Sequence, residues 1–441
     1  MSIPFGFSPN PGDNNDLAAM FENMGRMIRN MGKNTGSVDW DSARDAVKKS
    51  LKSDMQITER DEQSMKIATE LADLWLNNAT AFPQSDTSHR LLTKQQWVDQ
   101  TFESWKKIVE PVAEGVSGAM TGLLPNDQDG GSLQIPEEFL SSLPPEVAAN
   151  LRETLASKDF AAITGPIMAM AKSMGATMYG TQFGQALGSM ANEVLSTSDV
   201  GIPLTDHEIS GYVAGNVTNF SNSLGLDESD VRIYVALRER AHSRLFANAP
   251  WLNSQILSAI AAHAKGVKID TSRIQDAIAG LDPTNPEQIQ NSITPDLFEP
   301  VLTPEQEKAH EKLEQLLALI EGWVSVVVSE AISNRLTSAV ALDEAFRRRR
   351  AAGGPAEKLF AGLIGLELRP KRMREAAQLW EKLTELKGQA NRDEIWQHPD
   401  LLPSLDDLSD IQAYLDSQSI DLMAELNRII ETTDAPKEEE S

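Results

Sequence analysis

Asp227–Phe246, DESDVRIYVALRERAHSRLF, is the stretch from which the fold is read. From Asp227 the segment opens with cap-forming residues, preceded by Leu226. Beyond the cap, Val231, Val235, Arg238, His242 and Leu245 recur at helical spacing and fall on one face. A guanidinium and an imidazole therefore share a face with core residues. Glu239 lies one position round from Arg238 and three residues before His242, so its carboxylate projects toward the same place. Alone, each residue has an ordinary explanation: a satisfied core histidine, a solvated helix charge, an anchoring arginine. Their convergence calls for a second element.

That element is a helix over 304–336, with Leu313, Leu317, Ile320, Val324 and Val328 as its apolar stripe and Glu321 inside the stripe. The surrounding LLALIEGWVSVVV offers Glu321 no neighbouring cation. A buried carboxylate without a partner either takes up a proton or destabilises the fold, so a metal ion or an arginine must meet it.

Working outward, the same helical period runs through 38–51 and 67–76. Thr93-Lys94-Gln95-Gln96 is a capping box ahead of Trp97, Phe102, Trp105 and Val109. Between 160 and 195 the chain is rich in Ala, Gly and Met. Gly180, Gly184 and Gly188 sit four apart, so one helix face is nearly bare backbone made for close contact. Thr205-Asp206-His207-Glu208 is expected to open a helix carrying Ile209, Tyr212, Val213, Val217 and Phe220. Alternating strand patterns are scarce, and the fold class is predominantly α-helical.

The organisation expected is a leader with a Met-rich amphipathic helix over 1–35, a helical region over 36–198, a second region over 199–432 and an acidic tail over 433–441. The Met stripe from Met20 to Met31 is assigned to self-packing, and the turn-rich Leu124–Ser132 to an internal boundary. Arg347–Arg350 ends a helix, where cations suit the terminal carbonyls and an acidic protein supplies partners.

With 65 acidic against 40 basic residues the net charge is −25, which repels phosphate backbones and anionic lipid heads and disfavours a nucleic-acid role. There is no cysteine, so thiolate sites and disulfides are out, and His, Asp and Glu are the metal ligands available. The N-terminus has neither a basic nor an apolar targeting segment, and no uninterrupted apolar run approaches the roughly 20 residues that span a bilayer. A cytoplasmic protein without a membrane span is expected.

Arg238-Glu239-Arg240-Ala241-His242, with Arg244-Leu245-Phe246, Pro250-Trp251-Leu252, Ile320-Glu321-Gly322-Trp323 and the later GLIGLELRP and WQHPDLLP, resembles the zincin-like metallopeptidases. The resemblance covers roughly residues 199–408 and implies a zincin-like fold. In that family HExxH places two histidines on one helix face to bind zinc, the glutamate between them activates a water, and a distant glutamate completes the site. Carried over, Glu239 is the general base and His242 and Glu321 are zinc ligands. Arg238 stands where the first histidine belongs, and a guanidinium cannot coordinate zinc. His263 and His398 are the histidines that the fold could bring in as substitutes. Two functions follow: a zinc-dependent peptidase with one ligand to be found, or a silent pseudopeptidase that binds a peptide or protein in the inherited cleft while Arg238 supplies the charge zinc once supplied. On the second reading, Arg238→His is expected to return zinc.

Overall fold

The computed structural model describes residues 36–121, 158–205, 209–265, 303–333, 335–351, 359 and 370–417. The leader and its Met stripe, the 124–132 boundary, most of GLIGLELRP and the acidic tail lie outside the described residues. In chain order the elements are α1 (Trp40–Ser50), α2 (Glu59–Leu76), β1 (Ser88–Leu92), α3 (Lys94–Thr121), α4 (Lys158–Ala191), β2 (Ile209–Val213), α5 (Ala214–Leu224), α6 (Glu228–Asn248), α7 (Trp251–Lys265), α8 (Pro304–Ile332), α9 (Ala339–Ala351), α10 (Pro370–Glu394) and α11 (Leu405–Ser409). The helical class stands.

The chain divides into two compact units, Met1–Asp45 with Ser117–Gln182, and Ala46–Val116 with Phe183–Ser441. In the first unit Asp39 accepts from Ser42 N at 3.1 Å and from Thr177 Oγ1 at 3.1 Å, and its own N–H donates to Ala176 O. Gly180 brings α4 so near this point that a Cβ there would collide with Asp39 O. The bare glycine face read from the sequence is a close-contact face here.

The second unit is built around α8, which packs against α2, α6, α7 and α10. Thr303 caps α8 in a reciprocal box with Gln306, and Pro304 occupies its first turn. Leu313, Leu317, Ile320, Trp323, Val324 and Val328 are all buried. Among the described residues α8 alone is long and apolar enough to cross a membrane, but 78% of that window is buried inside the protein, as a central core helix requires. The box at Thr93 is also reciprocal: Thr93 N donates to Gln96 Oε1, and Gln96 N to Thr93 Oγ1.

The segment after Thr205 departs from expectation. Ile209–Val213 is a strand that pairs in parallel with β1, Ser88 against Ile209 through Leu92 against Val213, and the helix begins only at Ala214. The helical spacing of Ile209, Tyr212 and Val213 concealed a short run of β-formers. Their pairing is decided by a strand more than a hundred residues away. On its other edge β2 takes an antiparallel bridge from Ser196, with Thr197 N bonded to Gly211 O and Val213 N to Leu195 O. This places residues 195–201 over α6.

Candidate functional site

Helix α6 starts as the sequence predicts, with the Asp227 side chain accepting from Ser229 N. Val231, Val235, Arg238, His242 and Leu245 are all buried, and Glu321 from α8 meets them. Arg238 Nη2 donates to Glu321 Oε2 at 2.7 Å. His242 is held between two acceptors: Nδ1 lies 2.8 Å from Arg238 O, one turn back on its own helix, and Nε2 lies 3.2 Å from Glu321 Oε1. The carbonyl fixes the Nδ1 side of the ring, so Nε2 is the nitrogen presented to Glu321, as in a ligating histidine. Arg238, His242 and Glu321 are thus brought together.

A further residue completes the cluster. Arg350, the last arginine of the run on α9, places Nη2 2.7 Å from Glu321 Oε1. Its neighbour Arg349 holds Asp199 through both carboxylate oxygens at 2.9 and 2.8 Å and donates to Glu193 O. Arg347 and Arg348 remain largely exposed. Phe346 lies under the Arg238 guanidinium, 5.0 Å from it, and Tyr234 links the edge of the cluster to Asp343. Gly201, at φ +75°, turns the 199–201 backbone against Glu321 in a conformation other residues adopt at a cost. Burial by itself would raise the Glu321 carboxyl; Arg350, Arg238 and the His242 hydrogen bond more than reverse this and hold it well below the usual carboxylate range. Asp199 behaves alike, burial being outweighed chiefly by Arg349.

Glu239 faces elsewhere. Its buried carboxylate accepts from Thr197 Oγ1 at 2.5 Å, Ser198 N at 3.0 Å, Ser210 Oγ at 3.0 Å and the Ser198 hydroxyl. It ties residues 197–198 and β2 to α6. The cavity beside Arg238 and His242, bordered by Leu195, Ser196, Asp199 and Phe346, measures 10 Å³, the space of one water molecule.

Of the two histidines considered as substitutes, His263 lies against Gln306 and His310, and His398 caps the turn at Pro399–Leu401 with most of its side chain exposed. Among the described residues no group of three or more His, Asp or Glu side chains is arranged to hold a metal ion.

The other stretches noted in the sequence have packing roles. A Cβ on Gly322 would lie 2.7 Å from Ala376 Cβ and from Ala377 N, so this glycine sets the approach of α10 to α8. Trp323 Nε1 donates to Asp393 Oδ1 at 2.8 Å, and Trp251 Nε1 to Trp396 O at 3.0 Å, joining Pro250-Trp251-Leu252 to WQHPDLLP. Trp396 stacks on Trp380 at 5.4 Å.

The sequence profile of the zincin-like metallopeptidases matches residues 38–415. The chain belongs to the zincin-like metallopeptidase family. The match takes in the N-terminal helical region as well as the 199–408 stretch on which the resemblance was noted. No curated protein matches significantly. Among solved structures, a protein from Chloroflexus aurantiacus described as a candidate hydrolase with a novel fold superposes at a TM-score of 0.57 with 16% identity, covering 87% of this chain and 99% of its own. At that identity the likeness is one of fold, and this zincin-like chain shares it over nearly all of that protein's length.

Zinc is the metal the family implies, and the donor set does not suit it. An open catalytic zinc site needs three protein ligands. Here His242 and Glu321 converge, both oxygens of Glu321 are already engaged by guanidiniums, and the carboxylate of Asp199 at the edge of the cavity is taken by Arg349. A dication at Oε1 would be set beside two fixed positive charges.

Proposed function

We propose that this chain is a catalytically silent zincin, a pseudopeptidase that retains the family's fold and replaces its metal with a buried arginine–carboxylate cluster. The single observation that carries this reading is the double hold on Glu321, Arg238 on Oε2 and Arg350 on Oε1, each at 2.7 Å. A charge-assisted hydrogen bond from Arg238 and an ion pair with Arg350 give the carboxylate the cationic partner that zinc would otherwise supply. The engagement of Glu239 by three hydroxyls and a backbone N–H points the same way, since a general base must have a lone pair free toward water and substrate.

On this reading the family scaffold acts by binding a peptide or protein. Among the described residues the cavity beside Arg238 and His242 has room for about one water, so the inherited cleft does not hold a peptide against these two side chains themselves. The test is elemental analysis of zinc per chain, on protein purified without chelator or histidine tag, beside a peptidase assay with zinc added. The expected result is no stoichiometric zinc and no hydrolysis. Close to one zinc per chain, lost in His242→Ala, together with hydrolysis abolished by Glu239→Gln, would establish the active peptidase instead.

A further inference from the structure

We infer that Arg350 is a second determinant of metal refusal at this site, so that restoring the motif on α6 is not enough to restore zinc. The inference rests on the proposed loss of the metal and adds to it a residue outside the motif.

The two guanidiniums hold different oxygens of Glu321. Arg238 takes Oε2. Arg350 takes Oε1, which is also the oxygen that His242 Nε2 faces at 3.2 Å. A metal shared by His242 and Glu321 in the present geometry sits against Oε1. Arg238→His frees Oε2 and leaves a cation on the oxygen the metal needs. Arg350 is also mostly covered, 22% exposed against 65% and 79% for Arg347 and Arg348, and its neighbour Arg349 pins the end of α9 to Asp199 and to Glu193 O. Of the four consecutive arginines, the last two are committed inward and the first two are largely exposed. The end of α9 thus delivers charge to the motif from another element, and local repair of the motif does not remove it.

The experiment compares native protein with Arg238→His, Arg350→Leu and the double variant. Zinc affinity is measured by competition with a chromophoric chelator, cobalt(II) absorption reports a tetrahedral site, and circular dichroism verifies folding. Only the double variant is expected to bind close to one zinc. Its affinity should exceed that of either single variant on the order of 100-fold, because a like charge held beside the ion costs several kcal/mol. Adding His242→Ala should abolish the binding. If leucine at 350 prevents folding, Arg350→Gln removes the charge while keeping a hydrogen-bond donor and serves in its place. Arg238→His binding zinc as tightly as the double variant overturns the inference and leaves the silent-zincin reading standing. A folded double variant that binds no zinc also overturns it. Native protein that binds zinc through His242 sinks both.

Discussion

Glu321 is 3% exposed, and its two oxygens anchor side chains from two other helices, so it concentrates more consequence than any other residue of the cluster. Glu321→Gln keeps the shape but offers one carbonyl oxygen where there were two charged ones, leaving at least one buried guanidinium without its acceptor. Breaking a buried pair in this way costs about 3–5 kcal/mol, which urea unfolding should read directly. Arg348→Ala on the same arginine run is the control. Its i,i+4 pair with Glu344 is solvent-exposed, and its loss should stay within about 0.5 kcal/mol. Glu239 separates two roles by the kind of damage it causes. As a general base, Glu239→Gln would remove activity and spare stability; as the acceptor for Thr197, Ser198 and Ser210, it should lower stability by about 1–3 kcal/mol, because the amide NH₂ then faces donors. An unfolding midpoint unchanged by Glu239→Gln would contradict the structural role.

At the scale of elements, helix packing gives glycine two opposite meanings. Alanine is the better helix former by roughly 1 kcal/mol, and Gly175 on α4 is exposed with open space where a Cβ would stand, so Gly175→Ala should stabilise by about 0.5–1 kcal/mol. Gly322 sits where α10 crosses α8, and a Cβ there meets Ala377 N at 2.7 Å. Gly322→Ala should therefore destabilise by about 1–3 kcal/mol despite its better propensity, and thermal unfolding of the two variants should show the reversal of sign. The same contrast between local and distant causes explains what could be read from the sequence. Caps at Thr93 and Asp227 and the apolar faces of α6 and α8 were legible because each is decided within one or two turns. That Glu321 needs a cation was legible from its apolar surroundings, and Arg238 could be named because it occupies the motif. Arg350 could not be distinguished from Arg347 and Arg348, since only the docking of α9 separates inward from outward arginines. The strand at Ile209–Val213 was misread for a similar reason: its partner is β1, and nothing within its own five residues outweighs a helical spacing. Glu239 looked like a base because the hydroxyls that enclose it come from the 197–198 segment and β2.

For the whole molecule, a surface carrying most of a net charge of −25 and a buried cluster of depressed carboxylates respond to acid in opposite senses. Between neutral pH and about pH 5, protonation of the least acidic surface carboxylates relieves self-repulsion and stability should rise slightly. Added salt should mimic this at pH 7 by screening exposed charges while hardly reaching the buried pairs. Below this range the cluster dominates. Glu321 and Asp199 are held below their ordinary values of 4.5 and 3.8 by Arg350, Arg238 and Arg349. In the unfolded chain these carboxyls take up protons as pH falls through those ordinary values, while in the folded protein they stay ionised. The unfolded state then binds more protons, so the stability these groups contribute is complete above about pH 5 and drains away as pH drops toward their folded values. The Tm, followed by circular dichroism at constant ionic strength, should therefore pass through a shallow maximum near pH 5 and fall steeply below about pH 4.5. Glu321→Gln has one fewer such group, so its curve should start lower at pH 7 and descend less steeply on the acid side, narrowing the gap to the native protein as pH falls. Parallel acid limbs for the two proteins would mean that Glu321 titrates in the folded state as it does in the unfolded one, and the arginine hold on it would have to be abandoned.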